Sequence, residues 1–227
     1  MTDKHEDAAT DLLIKEVDED LRQEELNRLW KKHGGLFAAA ALALVLAVAG
    51  WQGWQGWEAK QRQAASARYS ETAALIEQGK KDEAVEVLNK LSAEGPKGYR
   101  LLADLRKADM AQQAGDFTGA AALYGKIAAD TSVDKVYRDM STIRAAYLVL
   151  DSGDVAAIEK SVEPLAAEAS SWRHSAREIL ALAALKRGET PRAAELFAKI
   201  AEDAAAPQGL RTRAAEMLAA TGQRARS

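Results

Sequence analysis

Five glycines, Gly79, Gly115, Gly153, Gly188 and Gly222, recur at intervals of 36, 38, 35 and 34 residues. The first four open matching stretches: GKKDEAVEVLNKL, GDFTGAAALYGKI, GDVAAIEKSVEPL and GETPRAAELFAKI. Five residues after each glycine stand Ala84, Ala120, Ile158 and Ala193; nine after, Leu88, Tyr124, Val162 and Phe197; twelve after, Leu91, Ile127, Leu165 and Ile200. Seven residues before each glycine the side chain is small: Thr72, Ala108, Ala146 and Ala181.

Such a recurrence restricts the chain to repeated helical hairpins. Glycine at the turn supplies the left-handed backbone that closes the first helix. The small residue lets two helices approach closely, and the three later positions form the apolar stripe of the second helix. A period of 34–38 residues is that of a tetratricopeptide (TPR) type stack, in which each hairpin buries its apolar face on its neighbours. The predicted units are 58–94, 98–130, 134–168 and 171–204, with a capping helix near 207–221. Gly95-Pro96 and Pro207 punctuate links between units. With only 4 prolines in 227 residues, much alanine and no sustained alternation of β-branched and polar residues, the expected fold class is all-α: an N-terminal amphipathic helix, a single transmembrane helix, then a TPR-like α-solenoid of about four hairpins plus a cap.

The span is read from Leu36 to Gly50 (LFAAAALALVLAVAG), fifteen residues without a polar side chain. A membrane crossing needs roughly 20 residues, and the flanks supply the remainder, with Trp30 before the run and Trp51, Trp54 and Trp57 after it. Along a continuous helix Trp30 and Trp51 lie about 31 Å apart, which suits indoles seated in the two interfacial belts. These four tryptophans are the expected membrane-interface residues. Gly34 and Gly35 are placed to interrupt the helix near the first interface. Ala47-Val48-Ala49 also fits a signal-cleavage pattern, but the segment before it is long and net acidic, so a retained anchor is the expectation. Lys15, Arg22, Arg28, Lys31 and Lys32 precede the span, and Lys60, Arg62 and Arg68 follow it. That excess places the N-terminus in the cytoplasm and the repeats in the periplasm of a Gram-negative cell, the protein being a single-pass inner-membrane one.

Residues 1–33 carry 6 Lys/Arg and 10 Asp/Glu. Ile14, Val17, Leu21, Leu26, Leu29 and Trp30 recur there at helical spacing, which predicts an amphipathic helix from about Leu12 to His33, capped by Thr10 or Asp11. The expected organisation is a cytoplasmic acidic tail over 1–33, an anchor with its tryptophan belt over 34–57, and a TPR-like domain over 58–227. An acidic amphipathic tail (KEVDEDLRQEELNRLWKKHGG), one alanine-rich span ending in tryptophan, and degenerate TPR units together resemble the tetratricopeptide-repeat ancillary subunits of the bacterial Sec translocon. That resemblance implies translocon subunits, periplasmic chaperones or nonpolar client segments as partners, and no catalytic residues.

The residues themselves point away from chemistry. A formal net charge of −3 argues against nucleic acid. There is no cysteine, hence no thiolate ligand, Cys nucleophile or lipidated Cys. His5, His33 and His174 fall in no metal-binding spacing, and no phosphate loop or nucleophile elbow is present. No enzyme, metal, cofactor or small-molecule substrate is expected. Binding is expected on the first helices, where the TPR register places Tyr69, Ile76, Leu102, Leu105, Met140, Ile143, Tyr147, Leu150, Leu182 and Leu185 in a groove fit for an apolar helix or extended nonpolar segment. The same register buries Asp104, Lys107 and Arg177, which is costly unless they are paired. A slip of one residue turns much of the stripe into core, and both assignments stay open. The expected function is a membrane-anchored adaptor linking the translocon to chaperones or emerging clients. The other reading is a self-associating scaffold of an envelope machine, such as division or wall synthesis.

Overall fold

A computed structural model gives the structure and describes residues 3–222, with side chains described for Arg28 and from Trp30 onward. It divides into two compact units, residues 1–60 and 61–227. Among the described residues every regular element is a helix.

The first unit is helical. Helix α1 runs Asp3–Glu77, so the cap expected at Thr10 or Asp11 is replaced by an earlier start. The apolar face expected over 12–33 falls almost wholly on side chains outside the described ones. Gly34 and Gly35 do not break the helix: a glycine inside a helix costs only about 1 kcal/mol relative to alanine, whereas proline, which is absent here, removes a hydrogen bond. From Trp30 the helix is long and apolar enough to cross a membrane, with a window of mean hydropathy 2.0 of which 6% is buried. Leu36, Phe37, Leu42, Leu44, Val45, Leu46 and Val48 are all exposed. A helix satisfies its own backbone groups, so an uncovered apolar one of this length suits hydrocarbon.

The second unit takes the remainder of α1 and adds α2 (Lys81–Glu94), α3 (Lys97–Gln113), α4 (Phe117–Ala129), α5 (Lys135–Val149), α6 (Val155–Val162), a 3₁₀ turn (Glu163–Ala166), α7 (Arg173–Lys186), α8 (Thr190–Ala201) and α9 (Gln208–Ala220). Helices pack on their sequence neighbours, and α7 also touches α5 and α9. The sixteen repeat positions form the interior: none is more than 7% exposed. Leu88 and Leu91 pack with Ala65 and Ala103; Tyr124 and Ile127 with Ala108; Phe197 and Ile200 with Ala181 and Ala184. Each large apolar side chain buried in this way contributes about 1.5–3 kcal/mol. The alanines facing them leave room for close helix contact.

Gly79, Gly115, Gly188 and Gly222 have φ between 77° and 81°. The chain reverses there through caps that reach back five residues: Lys80 N donates to Leu75 O at 2.9 Å, and Glu189 N to Ala184 O at 2.8 Å. Gly153 departs from the expectation, since its φ is not positive. Helix α5 stops at Val149, and Gly153 N instead donates to Val149 O at 2.7 Å. The side chain of Asp154 then caps α6 by accepting from Ala156 N at 2.9 Å. Helix α6 is short because Pro164 has no N–H to donate back to the preceding turn, and the chain tightens into the 3₁₀ turn.

Candidate protein-binding face

The first helices of successive hairpins are tied together by polar side chains. On α3, Asp109 Oδ1 accepts from Arg144 Nη1 of α5 at 2.6 Å and from the Tyr124 hydroxyl at 2.5 Å. The Arg144 guanidinium also sits over the Tyr124 ring, 5.4 Å from its centre. On α5, one turn beyond Arg144, the Tyr147 phenol donates to Glu178 of α7. Glu178 is buried, and Arg213 of α9 grips it with two nitrogens at 3.0 and 3.1 Å. A polar ladder thus runs α3–α5–α7–α9.

Titration of these groups follows from their surroundings. Burial, then the neighbouring Glu178, pushes the Tyr147 phenol well above its ordinary range. Burial and Asp109 raise Tyr124 likewise. The hydrogen bond to Glu178 raises Arg213. Both phenols therefore stay protonated and serve as donors throughout the physiological range.

Beside the ladder lies a cleft of about 630 Å³ lined by Asp109, Gln112 and Gln113 of α3, Phe117 of α4, and Arg144, Tyr147 and Leu148 of α5. Phe117 is the first residue of α4, held in place because Asp116 caps the helix by accepting from Gly119 N at 2.8 Å. Its ring is 51% exposed and Tyr147 is 38% exposed. Two uncovered aromatics beside two amides and an ion pair can grip an apolar side chain while the glutamines serve a peptide backbone as donor and acceptor.

The residues expected in the groove are divided. Ile143 and Leu150 belong to the core, packed with Val162, Leu165 and Ile179, and this corrects their assignment to an open surface. Around α5, at about 100° per residue, Met140 and Tyr147 lie to one side of the line joining Ile143 and Leu150. The stripe is therefore split along its width, with one edge turned inward and the other left at the surface. Met140 is half-buried and Tyr147 exposed. Leu102 is exposed, while Leu105 is half-buried against the Ala108–Tyr124–Ile127 cluster. Tyr69 packs on the Leu88–Leu91 cluster, 6.4 Å from Tyr99, and Ile76 is half-buried. Leu182 and Leu185 are half-buried against the Phe197 cluster. Of the ten, only Tyr147 lines the cleft.

The awkward charges are matched. Lys107 Nζ lies 2.8 Å from Asp104, which also accepts from the Ser92 hydroxyl at 2.6 Å. Arg177 bonds Glu168. His174, buried on α7, has its Nε2 2.7 Å from Asp203, and that bond, helped by Ala205 N, holds the Asp203 carboxyl down to about 2. Trp30, Trp51, Trp54 and Trp57 are each more than half exposed, with the last two rings 5.3 Å apart.

Asp109, Phe117, Arg144, Glu178 and Arg213 were not singled out by the sequence pattern. A signal for Phe117 exists: two residues after the turn glycine the other units carry Lys81, Val155 and Thr190, so an aromatic there is out of place.

A family model for a tetratricopeptide repeat-like domain matches residues 27–212. No curated protein and no solved structure matches the chain.

Proposed function

Given that the chain belongs to the tetratricopeptide repeat-like family, we propose that it is a membrane-tethered adaptor that acts by binding other proteins, not by catalysis. The observation carrying this reading is the Phe117–Tyr147 cleft, two exposed aromatic rings of which Tyr147 is tied into the polar ladder and Phe117 is set by the capped start of α4. Aromatic side chains so presented are the usual anchors of protein interfaces. The family match begins at residue 27 and takes in the apolar stretch together with the repeats, which supports reading anchor and repeats as one working unit.

In the finer form of the proposal the anchor crosses the inner membrane once, with the N-terminus in the cytoplasm and the repeats in the periplasm. The excess of basic residues before Leu36 supports that orientation. The partners are then translocon subunits with periplasmic chaperones or emerging nonpolar segments, which the resemblance in layout supports. The experiment is crosslinking in intact cells, mild solubilisation, and affinity purification of the full chain. Recovery of translocation components with the wild type, lost on Phe117→Ala, is the expected outcome. Recovery of the chain alone, as crosslinked pairs of itself, assigns it instead to a self-associating scaffold.

A further inference from the structure

A second cleft, of about 360 Å³, opens between the end of α2, helices α3 and α4, and the turn after α4. Its rim carries Lys97, Arg100 and Lys107 from α3 and Lys126 from α4, against the carboxylates of Asp104 and Asp130. With about 100° between successive helix residues, Lys97, Arg100, Asp104 and Lys107 share one face of α3, whereas Asp109, Gln112 and Gln113 lie on another. The two clefts are therefore separate surfaces.

Four cations against two acids stand out in a chain whose net charge is −3. Lys107 is spent on Asp104 at 2.8 Å. Hydrogen bonding from the Ser132 side chain, then from Ser132 N at 2.8 Å, with attraction from Arg100 and Lys97, keeps the Asp130 carboxyl below the ordinary range. Lys97, Arg100 and Lys126 are exposed and form no close ion pair among the described residues. Beneath them the floor is apolar, made by Leu101, Leu123 and the buried Ile127.

We propose that this cleft docks an acidic segment of a partner protein, an extended run of Asp and Glu carrying an apolar side chain for the floor. The cations from Lys97 to Lys107 are strung over about 15 Å of helix, the length of roughly four to five extended residues at ~3.3 Å each. A single phosphate asks for donors that converge on one point, and it has no use for an apolar floor. The proposal goes beyond the adaptor reading and does not need the Phe117–Tyr147 face to bind anything.

The test uses the full chain in non-ionic detergent and a fluorescent Asp/Glu-rich peptide with a central leucine, read by anisotropy. Its Asn/Gln counterpart serves as the uncharged control. Saturable binding is expected, weakened about tenfold in the amide peptide and about tenfold by Arg100→Glu with Lys126→Glu. Lys160→Glu, an exposed cation on α6, should change nothing. If the double reversal lowers the melting temperature, Arg100→Gln with Lys126→Gln replaces it and should still cost about threefold. The proposal is overturned by absence of saturable binding up to about 1 mM, by equal binding of the amide peptide, or by an equal loss in Lys160→Glu. Displacement of the peptide by glycerol phosphate, where sulfate at the same concentration leaves it bound, assigns the cleft to a lipid headgroup and equally overturns it.

Discussion

Asp109 and Arg144 are 35 residues apart in the chain and 2.6 Å apart in space. Glu178 and Arg213 repeat the relation, again 35 residues apart and joined at 3.0 Å. Acid and base therefore alternate at 109, 144, 178 and 213, one on each first helix from α3 onward and one repeat period apart. Tyr147, one turn from Arg144 on α5, joins that helix to the second pair by donating its hydroxyl to Glu178. Apolar clusters run within hairpins and across them, as where Ala145 and Leu148 of α5 pack on the Ala108–Tyr124–Ile127 cluster, and the ladder adds a polar tie between successive first helices.

The two pairs should differ in worth. Arg144 is about half exposed, with a side-chain exposure of 47%, and exposed pairs contribute only about 0–1 kcal/mol. Removing it by Arg144→Ala should lower stability by no more than about 1 kcal/mol, counting its packing on Tyr124. Glu178 is buried, and Arg213→Ala leaves its charge with the Tyr147 hydroxyl as the main remaining donor. That should cost about 1–3 kcal/mol. Thermal melting of both variants in detergent decides it; equal losses would mean that Glu178 is better solvated than its burial indicates.

Close approach of the hairpin helices makes a second expectation. Ala120 is fully buried at the contact of α4 with its neighbours. Ala120→Trp should destabilise the protein by about 1–3 kcal/mol or more, through overpacking, whereas Ala122→Trp on the exposed side of α4 should change little. A melting temperature indifferent to both substitutions would count against the packing register.

The hairpin fold could be read from the sequence because its signals are local and repeated. A turn glycine, a small residue seven before it and a three-point stripe after it each have one physical role, and four copies reinforce one another. The α5 turn escaped because Gly153 follows an earlier helix stop, and the pattern counts glycines without seeing hydrogen bonds. The binding face was less legible. Tyr147 and Ile143 are four residues apart on the same stripe, about 40° apart around α5, and only packing against α6 and α7 shows that the edge carrying Ile143 is covered while that carrying Tyr147 is not. The ladder depends on side chains meeting across helices, although its alternating charges at 109, 144, 178 and 213 were present in the sequence to be found.

Acid should find a particular weak point. The Asp203 carboxyl titrates near 2 in the fold against an ordinary 3.8. A depressed value means that the folded chain binds fewer protons than the unfolded one between those limits. The stabilisation is complete above about pH 4 and is lost as pH falls towards 2. Melting temperature measured across that window should fall less steeply for Asp203→Asn than for the wild type. His174→Ala, which removes the leading cause of the shift, should flatten the same region; a slope unchanged in both variants would place the acid sensitivity elsewhere.

Anchoring has its own signature. The exposed apolar side chains from Leu36 to Val48 and the tryptophans around them should keep the full chain in the membrane through alkaline carbonate extraction. Alkaline phosphatase fused after Ser227 should be active if the repeats lie outside the cytoplasm. Inactive fusions reverse the orientation, and a mature chain beginning at Gly50 removes the anchor.

The sharpest functional expectation concerns Phe117. Its ring is 51% exposed, so Phe117→Ala should alter stability by only about 0.5 kcal/mol. An aromatic anchor at a protein interface typically carries about 2 kcal/mol or more of binding, so the same variant should weaken capture of its partner by about thirtyfold. Tyr147→Phe separates fold from contact: it keeps the ring in the cleft and deletes the bond to Glu178. That variant should lose about 1 kcal/mol of stability while retaining the partner. Crosslinking yield and melting temperature, measured on both variants in parallel, assign the roles. If Phe117→Ala keeps every wild-type partner at undiminished yield, the cleft is not the contact. Recruitment would then fall to the membrane helix and the acidic tail.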